Sequence, residues 1–199
     1  MSQSLRLILA SRSPRRAALL RQAGYRFKQT DPPYIDPPQP LPNINPEDLA
    51  LELSRKKAIS MRALILPCHV ILSADTICID ADGRPVGQPA NRKQARQTIR
   101  RFIDAPHDVI TAATLLDKTG DKSIELLDRA QVLIGTLNDD QLEGYLDTEQ
   151  WRGKAGGYNL FDRQADGWPI SVQGDPTTVV GLPMDQLQPA LHRLGILPD

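Results

Sequence analysis

Short apolar runs alternate with amphipathic segments along the chain, and this alternation predicts strands and helices in turn. Residues 5–10 form a short apolar run of the strand type. Residues 70–80 (VILSADTICID) are β-branched and largely apolar, which favours a buried strand. Residues 108–116 and 123–134 have the pattern of two further strands joined by a turn at Gly120. These four runs are the clearest predicted strands.

Capping residues predict where the helices between these strands begin. Each predicted helix starts at a Ser, Asn or Pro, residue types suited to the free N–H groups of a first turn. Gly24 is expected to end the first of these helices. The predicted helices run from Ser13-Pro14 to about Ala23, from Asn45-Pro46 to about Leu64, from Asn91 to about Ile103, from Asn138 with Gln141 as capping-box partner, and from Pro183 to about Leu194.

Three weaker segments complete the pattern. Residues 25–30 alternate weakly, and residues 158–161 and 169–172 follow a Gly-rich turn at 153–157; we expect a short strand at each of the three. Strands that alternate with helices indicate the α/β class. The sequence therefore predicts an α/β fold.

The overall charge excludes several classes of protein. The chain has 199 residues, with 24 Lys and Arg against 24 Asp and Glu, so its formal net charge is zero. A neutral chain has no global field to attract nucleic acid or an anionic membrane. The longest apolar runs are far shorter than the ~20 residues of a membrane span. Residues 5–10 lead directly into Ser11 and Arg12 instead of a secretory apolar segment. We expect a cytoplasmic protein with neither nucleic acid nor membrane as partner.

The cysteines and prolines add two further expectations. Cys68 and Cys78 could pair, but without an export signal buried free thiols are favoured. Seven of the 17 prolines fall between positions 32 and 46. Such a cluster predicts an extended loop, because a residue that precedes proline is pushed away from the helical region.

Positive charge is concentrated at the start of the chain. Residues 1–30 contain no acidic residue, and Arg15 and Arg16 lie in the first turn of a predicted helix, where the helix dipole already disfavours cations. A bound polyphosphate would remove this conflict, and Ser11 and Ser13 would add donors to the same loop. The alternative is that both arginines are solvated surface charges. No Walker A motif occurs in the chain.

Two charged residues stand in apolar surroundings. Asp75 lies in the middle of the predicted strand 70–80, and a buried carboxylate usually has a partner, a metal or a chemical role. The alternative is a carboxylate at a strand end that is merely hydrogen-bonded. Lys57 shares a helix face with Leu49 and Leu53, where a lysine more often extends its stem toward water.

Other candidates for chemistry are weaker. His69, His107 and His192 are scattered and have no ligand spacing to the cysteines, which argues against a zinc site. Lys154 lies on the Gly-rich turn, where it could contact a ligand or simply face solvent.

Seven short motifs cover the chain from about Leu7 to Ile196. They are Leu9-Ala10-Ser11-Arg12-Ser13-Pro14-Arg15-Arg16, Lys57-Ala58, Ser73-Ala74-Asp75-Thr76, Gly87-Gln88-Pro89, His107-Asp108-Val109-Ile110-Thr111, Gly153-Lys154-Ala155-Gly156-Gly157-Tyr158 and Val179-Val180-Gly181-Leu182-Pro183. In these motifs and in their order the chain resembles the Maf family of nucleoside triphosphate pyrophosphatases, historically linked to inhibition of septum formation.

The resemblance implies a fold, a reaction and a cofactor. The fold is an α/β domain of the inosine-triphosphate-pyrophosphatase type, with a mixed sheet, flanking helices and two lobes around a cleft. The whole chain, residues 1–199, would be a single Maf-like domain, often a homodimer in this family. The reaction is hydrolysis of a nucleoside triphosphate to the monophosphate and pyrophosphate, with a divalent cation (Mg²⁺, Mn²⁺ or Co²⁺).

The resemblance also assigns roles to individual residues. Asp75 would be the catalytic carboxylate, linked to the metal, that activates water. Arg15 and Thr76 fit the branch of the family that acts on dTTP and UTP. The substrate-binding residues that the resemblance implies are Ser11, Ser13, Arg15, Arg16, Lys57 and Thr76.

At three positions the chain departs from the family pattern. Asp36 is followed by Pro37, where the family usually has a Glu. Gln88 stands where the family usually has a Lys. Phe161 stands where the dTTP/UTP branch has a Gln that reads the base, so stacking or a different base is expected there.

Two functions follow from these observations. The first is an active pyrophosphatase for dTTP, UTP or a modified nucleotide, with altered specificity or a reduced rate. The alternative is a catalytically weakened relative that binds nucleotide and acts as a regulatory or interaction protein.

Overall fold

One mixed sheet forms the centre of the protein. The structure is a computed structural model that describes residues 6–37, 44–65, 69–117 and 123–199. Within these ranges seven strands pair in the order β2-β1-β3-β5-β6-β7, with β4 beside β3. The strands are β1 (Arg6–Ala10), β2 (Phe27–Thr30), β3 (His69–Ile79), β4 (Pro85–Val86), β5 (Pro106–Asp117), β6 (Ser123–Ile134) and β7 (Ile170–Gln173).

Helices flank this sheet, so the predicted α/β class with a mixed sheet is confirmed. None of the helices in the described ranges is long and apolar enough to cross a membrane. Single 3₁₀ turns occur at Arg62–Leu64 and Ala155–Gly157. The α-helices are α1 (Pro14–Gln22), α2 (Pro46–Met61), α3 (Arg92–Phe102), α4 (Asp139–Asp147), α5 (Leu160–Ala165), α6 (Pro176–Val180) and α7 (Met184–Arg193).

The direction of the strands follows from their connections. β1, β2 and β3 are mutually parallel, and the helices α1 and α2 make the long crossovers that parallel neighbours need. β5 and β6 follow each other closely in the chain and pair antiparallel. Since β2 lies on one side of β1 and β3 lies on the other, the order in which successive strands are added to the sheet changes direction at β1.

The predicted helix starts are confirmed by cap hydrogen bonds. Each of four cap side chains accepts a bond from a backbone N–H in the first turn. The pairs are Ser13 with Arg16, Asn45 with Glu47, Asn91 with Gln94, and Asn138 with Gln141 in a complete capping box. Gly24, at φ +81°, follows the last turn of α1 as predicted.

One predicted strand is wrong. Residues 158–161 were expected to be extended, but helix α5 begins at Leu160, and the Arg163 N–H donates to the Asn159 carbonyl. Gly156 and Gly157 have positive φ angles and turn the chain just before this segment. The free edge of β6 is taken by β7, at residues 170–173, close to the predicted strand 169–172. Four residues with only weak alternation did not distinguish a strand from a short helix.

Some predictions concern positions outside the described residues. Cys68, the turn at Gly120 and residues 38–43 of the proline cluster belong to this group. Cys78 is described, and it is a buried free thiol.

Three arginines of α3 are neutralised by α4. They recur at every fourth position and face carboxylates that also recur at every fourth position. The pairs are Arg92 with Asp147, Arg96 with Glu143, and Arg100 with Asp139. The basic face of α3 is therefore an internal helix–helix contact and not a free cationic surface.

Strand β1 is buried on both faces because the two crossover helices lie on opposite sides of the sheet. Leu7 and Leu9 belong to the same apolar cluster as Leu20 of α1. Ile8 and Ala10 point the other way and pack with Ala58 of α2. Burial on both faces explains why this strand is a continuous apolar run.

Buried hydroxyl groups set the position of α2 on the sheet. Ser54 of α2 donates to the Leu51 carbonyl at 2.9 Å, and its Oγ lies 2.9 Å from Thr114 Oγ1. Ser73 of β3 donates to the Ser54 carbonyl at 2.6 Å. Ser54, Thr114 and Ser73 have no exposed surface. We assign Thr114 as the donor in its bond to Ser54, because the Ser54 hydroxyl has a single proton and also lies 2.9 Å from the Leu51 carbonyl, which can only accept.

The assigned direction of the hydrogen bond from Thr114 to Ser54 predicts unequal effects of two substitutions. Ser54→Ala leaves the buried Thr114 hydroxyl without an acceptor, so we expect the free energy of unfolding to fall by about 1–3 kcal/mol. Thr114→Val leaves the Ser54 bond to Leu51 intact and should cost less. Urea denaturation measures both values. The double variant should be less destabilised than the sum of the two single variants. Strict additivity would contradict the Ser54–Thr114 hydrogen bond, and a larger loss in Thr114→Val than in Ser54→Ala would contradict its direction.

Candidate active site

A cleft of about 490 Å³ opens where strand β3 lacks a neighbour on one side. Of the residues of β3, only 69–72 pair with β1 and only 78 and 79 pair with β4. Among the described strands, residues 73–77 therefore have a partner, β5, on one side only. The cleft lies at the carboxyl end of β1, where the strand order changes direction. This is the usual ligand position in α/β sheets.

Three charged side chains meet on the α2 side of this cleft. The Lys57 Nζ atom lies 2.5 Å from Asp75 Oδ1 and 3.0 Å from Asp36 Oδ1. The Lys57 and Asp75 side chains are only 11% and 13% exposed, whereas that of Asp36 is 41% exposed. Lys57 therefore does not extend into water, and the predicted apolar setting of Lys57 and Asp75 is a buried ion pair.

The environment of Asp75 makes its carboxylate more basic than usual. Burial raises the pKa of Asp75, and the neighbouring charge of Lys57 offsets part of that rise. The negative charge of the nearby Asp36 carboxylate also raises the pKa of Asp75. A carboxylate with a raised pKa that borders a cleft is suited to accept a proton.

The start of helix α1 forms a second wall of the cleft. Ser11 Oγ accepts from the Ser13 N–H at 3.1 Å, and Ser13 Oγ accepts from the Arg16 N–H at 3.4 Å. Within the described residues, the backbone N–H groups of Arg12 and Arg15 have no acceptor. Free N–H groups at the positive end of a helix favour an anion.

The Arg16 guanidinium is bound mainly by the protein itself. Its Nε donates to the Gly181 carbonyl at 2.8 Å, and its Nη1 to the Ala74 carbonyl at 2.7 Å and Ser11 Oγ at 3.3 Å. Its Nη2 donates to Thr76 Oγ1 at 3.0 Å. These bonds use four of the five N–H groups of the side chain. Burial lowers the pKa of Arg16, partly offset by Asp75.

Arg12 and Arg15 have guanidinium groups with fewer protein contacts. Arg12 is exposed and lines the cleft, a position that the sequence analysis did not single out. Arg15 is half-buried and also lines the cleft. Burial lowers the pKa of Arg15, and the nearby carboxylate of Asp162 offsets part of this effect. Arg12 could have been found from its place between Ser11 and Ser13 in the basic segment.

The remaining walls are polar and aromatic. Tyr34, Gln88, Tyr158 and Asn159 all line the cleft, and none of them was predicted as a site residue. A smaller cavity of about 330 Å³ adjoins the cleft and shares Asp36, Asp75, Thr76, Gln88 and Ala155 with it. Asp36 and Gln88 thus border both spaces. In the sequence, both lie at or next to positions where the chain differs from the family pattern.

Lys154 of the Gly-rich turn and Phe161 of α5 are not among the residues that line the cleft. Lys154 donates to the Gln150 carbonyl, so its ammonium group is held by the protein. Phe161 lies on α5, is 41% exposed and is not among the lining residues. The expected stacking of a base on Phe161 is therefore not supported by its position.

Tyr158 is held in the cleft wall by a buried histidine. His107 Nε2 lies 2.7 Å from the Tyr158 hydroxyl, and the imidazole stacks on Phe102 with ring centroids 3.9 Å apart. Gly156 packs against the same group, and a Cβ there would lie 3.2 Å from the Phe102 ring, which explains the glycine. Burial lowers the pKa of His107 to about 4.

The site contains few candidate metal ligands. Across the described residues, no group of three or more His, Cys, Asp or Glu could hold a metal ion. Asp36 and Asp75 are two carboxylates that share Lys57. Mg²⁺ is commonly held by one or two carboxylates together with substrate phosphates, and this pair fits that donor set.

Comparison with known proteins identifies the relatives of this chain. A family model described as Maf-like protein matches residues 6–194. A protein named dTTP/UTP pyrophosphatase from Salinibacter ruber is 32% identical over 186 residues, 94% of this chain and 89% of the relative. Proteins of the same name from Desulforamulus reducens and Thermus thermophilus are each 34% identical, and the matches cover 96% of this chain and 97% and 96% of the relatives.

The four bonds of Arg16 predict that this residue stabilises the fold. Arg16→Lys replaces the planar fork by a single ammonium group that cannot reach all four acceptors. We expect the free energy of unfolding to fall by about 1.5–3 kcal/mol, the range for hydrogen bonds to a charged group. The matched Arg12→Lys variant, at an exposed position, should stay within about 0.5 kcal/mol of the wild type. Equal stability of both variants in urea denaturation would contradict this role.

The lowered pKa of His107 predicts a loss of stability in acid. The unfolded chain takes up a proton near pH 6.5 and the folded chain only near pH 4, so stability is lost as the pH falls from 6.5 to about 4. This one group contributes a slope of at most about 1.4 kcal/mol per pH unit in that window.

His107→Phe should remove this part of the acid dependence, whatever its effect at pH 7. Urea denaturation at several pH values between 7 and 4 measures the slope. A slope that His107→Phe leaves unchanged would show that His107 is not its source.

Proposed function

Since this chain belongs to the family of Maf-like proteins, we propose that it hydrolyses a nucleoside triphosphate to the monophosphate and pyrophosphate. The substrate class is dTTP, UTP or a modified nucleotide of that type. The observation that carries the proposal is the Lys57, Asp75 and Asp36 cluster, which lies in the same cleft as the free N–H groups of α1. The names of the relatives support the same reaction.

Asp75 is the proposed general base. The oxygen of a water molecule forms a bond to the α-phosphorus, and the bond from the α-phosphorus to the α,β-bridging oxygen breaks. Pyrophosphate leaves with that oxygen, and the proton of the water passes to an Asp75 carboxylate oxygen. The position of Asp75 in the cleft wall, next to Lys57 and Asp36, supports this role.

Donors on both walls of the cleft bind the phosphate groups. Arg12 and Arg15 bring positive charge, and the hydroxyl groups of Ser11 and Ser13 keep protons that can be donated. Lys57 supplies a third cation from α2, within reach of any phosphate that approaches Asp75. Phosphoryl transfer depends mainly on such positioned charge, because little covalent help is needed.

Arg16 contributes to the proposed site in a different way from Arg15. With four of its N–H groups bound within the protein, Arg16 has one left for a phosphate and mainly positions Ser11 and Thr76. We therefore propose that Arg16 binds substrate, as predicted from the sequence, only through this remaining N–H group.

A divalent cation completes the proposed site, with Asp75 and Asp36 as its carboxylate ligands. Such an ion, when bound, neutralises phosphate oxygens and lowers the pKa of a coordinated water. Asp36 supplies a second carboxylate next to the position of Pro37, where the resemblance implies a Glu. Mg²⁺, Mn²⁺ and Co²⁺ are the proposed candidates.

Other expectations from the sequence stay predictions. They are the cytoplasmic location, the homodimer and the extent of the functional unit over residues 1–199. The match over residues 6–194 supports the last of these.

The proposed reaction predicts release of pyrophosphate from dTTP or UTP in the presence of Mg²⁺, Mn²⁺ or Co²⁺. Asp75→Asn keeps the shape of the side chain but removes the base, so we expect turnover to fall at least about 10²-fold. Nucleotide binding should stay within a few-fold. A coupled pyrophosphate assay measures turnover, and isothermal titration calorimetry measures binding.

The matched control is Asp82→Asn, the same change at an exposed carboxylate just after β3, which should leave turnover unchanged. Unchanged turnover in Asp75→Asn would refute the role of Asp75. Nucleotide binding without pyrophosphate release on any canonical or modified nucleotide would refute the enzyme and favour the regulatory alternative.

A further inference from the structure

The side chain of Gln29 closes a gap in the pairing of strands β1 and β2. The Ser11 N–H donates to the Thr30 carbonyl at 3.1 Å, which continues the parallel pairing of the two strands one residue past β1. In a regular parallel ladder, the Ser11 carbonyl would then accept from the N–H of residue 32. Residue 32 is a proline and has no N–H. The Gln29 amide takes its place, and its Nε2 donates to the Ser11 carbonyl at 2.8 Å.

The chemistry of the two groups fixes the direction of this bond. A carbonyl oxygen only accepts, so the Gln29 atom that lies 2.8 Å from it is the amide nitrogen. Among the described residues, Gln29 is the only donor to the Ser11 carbonyl. Because Gln29 belongs to β2, the bond ties the loop between β1 and α1 to a strand of the sheet.

The same bond determines where the Arg12 N–H points. The C=O and N–H groups of a trans peptide point in opposite directions, so a Ser11 carbonyl directed at β2 turns the Arg12 N–H away from β2. The sheet order places β3 on that other side of β1. In the register of the two strands the Arg12 N–H would meet the Ala74 carbonyl, but Arg16 Nη1 already binds that oxygen at 2.7 Å. The Arg12 N–H is therefore left free at the open edge of β3, beside the cleft that Arg12 lines.

We propose that Gln29 is a positioning residue that aims the Arg12 N–H at the pyrophosphate part of the substrate. This inference rests on the proposed function, in which the α-phosphorus lies beside Asp75 and leaves the β- and γ-phosphates to the wall at the start of α1. A backbone N–H at this end of a helix favours an anion. Since the peptide is held before the ligand arrives, less order is lost on binding. Gln29 is not among the residues that line the cleft, so it acts without contact with the nucleotide.

Binding of inorganic pyrophosphate, measured by isothermal titration calorimetry, tests this role. Gln29→Met keeps an unbranched side chain of similar length but removes the donor, so the Ser11 carbonyl is released. We expect the dissociation constant of pyrophosphate to rise about fivefold, the effect of one net hydrogen bond. The Gln29 side chain is exposed, so we expect the variant to fold.

The steady-state kinetics give a second readout. The β- and γ-phosphates are negatively charged both in the bound substrate and in the transition state, so a weaker contact with them affects both states alike. For dTTP or UTP we expect KM to rise about fivefold and kcat to stay within about twofold of the wild type. A merely structural loss of folded protein would instead lower kcat at an unchanged KM.

A second substitution should restore binding. Pro32→Ala supplies a backbone N–H at the position from which the ladder would donate to the Ser11 carbonyl. When Gln29→Met is combined with Pro32→Ala, we expect the dissociation constant of pyrophosphate to return to within about twofold of the wild type. No recovery in this double variant would contradict the replacement of a backbone donor by Gln29.

Gln164→Met is the matched control. Gln164 is also exposed, and its Nε2 donates to the Ile170 carbonyl at 3.2 Å, but it is not among the residues that line the cleft. Its loss should leave pyrophosphate binding and KM unchanged. An unchanged dissociation constant in Gln29→Met, or an equal rise in Gln164→Met, would overturn the inference.

Failure of the proposed function gives a separate result. A wild-type protein that releases no pyrophosphate from any nucleotide refutes the enzyme. The dissociation constants of inorganic pyrophosphate for the wild type and the variants then still decide the role of Gln29, because calorimetry needs no turnover. A wild-type protein that does not bind pyrophosphate would refute that role.

Discussion

The buried contacts of the Arg16 guanidinium hold the cleft together. Strand β1 ends before β3 does, and this leaves the Ala74 carbonyl of β3 without a strand partner on that side. The guanidinium supplies the missing donor and at the same time binds Gly181 and Ser11. Because its N–H groups are fixed in one plane, it sets the relative positions of α1, β3 and the turn after α6. The open edge of the sheet can therefore serve as a ligand cleft without loss of order.

Two neighbouring residues of β3 bring different chemistry to this edge. Successive side chains of a strand point to opposite faces, so Asp75 meets Lys57 of α2 while Thr76 meets Arg16 of α1. Both reach the cleft because the edge between them is open. In the proposed enzyme, one face carries the hydrolytic carboxylate and the other carries Thr76, which accepts a hydrogen bond from Arg16.

Local signals were sufficient for much of the fold but for less of the site. The caps at Ser13, Asn45, Asn91 and Asn138 were predictable because a cap involves only residues within one turn. The segment 158–161 was mispredicted because its conformation depends on which strand occupies the edge of β6. Asp75 and Lys57 were noticed as charges in apolar patterns, but 18 residues separate them, and no local rule pairs them. Pro37 in place of a Glu gave reason to doubt the site, yet the structure places Asp36 3.0 Å from Lys57 Nζ.

The amino-acid sequence alone determined the α/β class, the helix starts, the basic first thirty residues and, through its motifs, the resemblance to Maf proteins. These features depend on residue type and short spacing, which the sequence contains in full. Only the tertiary structure decided which arginine is bound within the protein, since Arg15 and Arg16 are adjacent and chemically identical. It also decided that Thr76 and Thr111 are in contact, because these residues are far apart along the chain and meet only where β3 and β5 pair in the sheet.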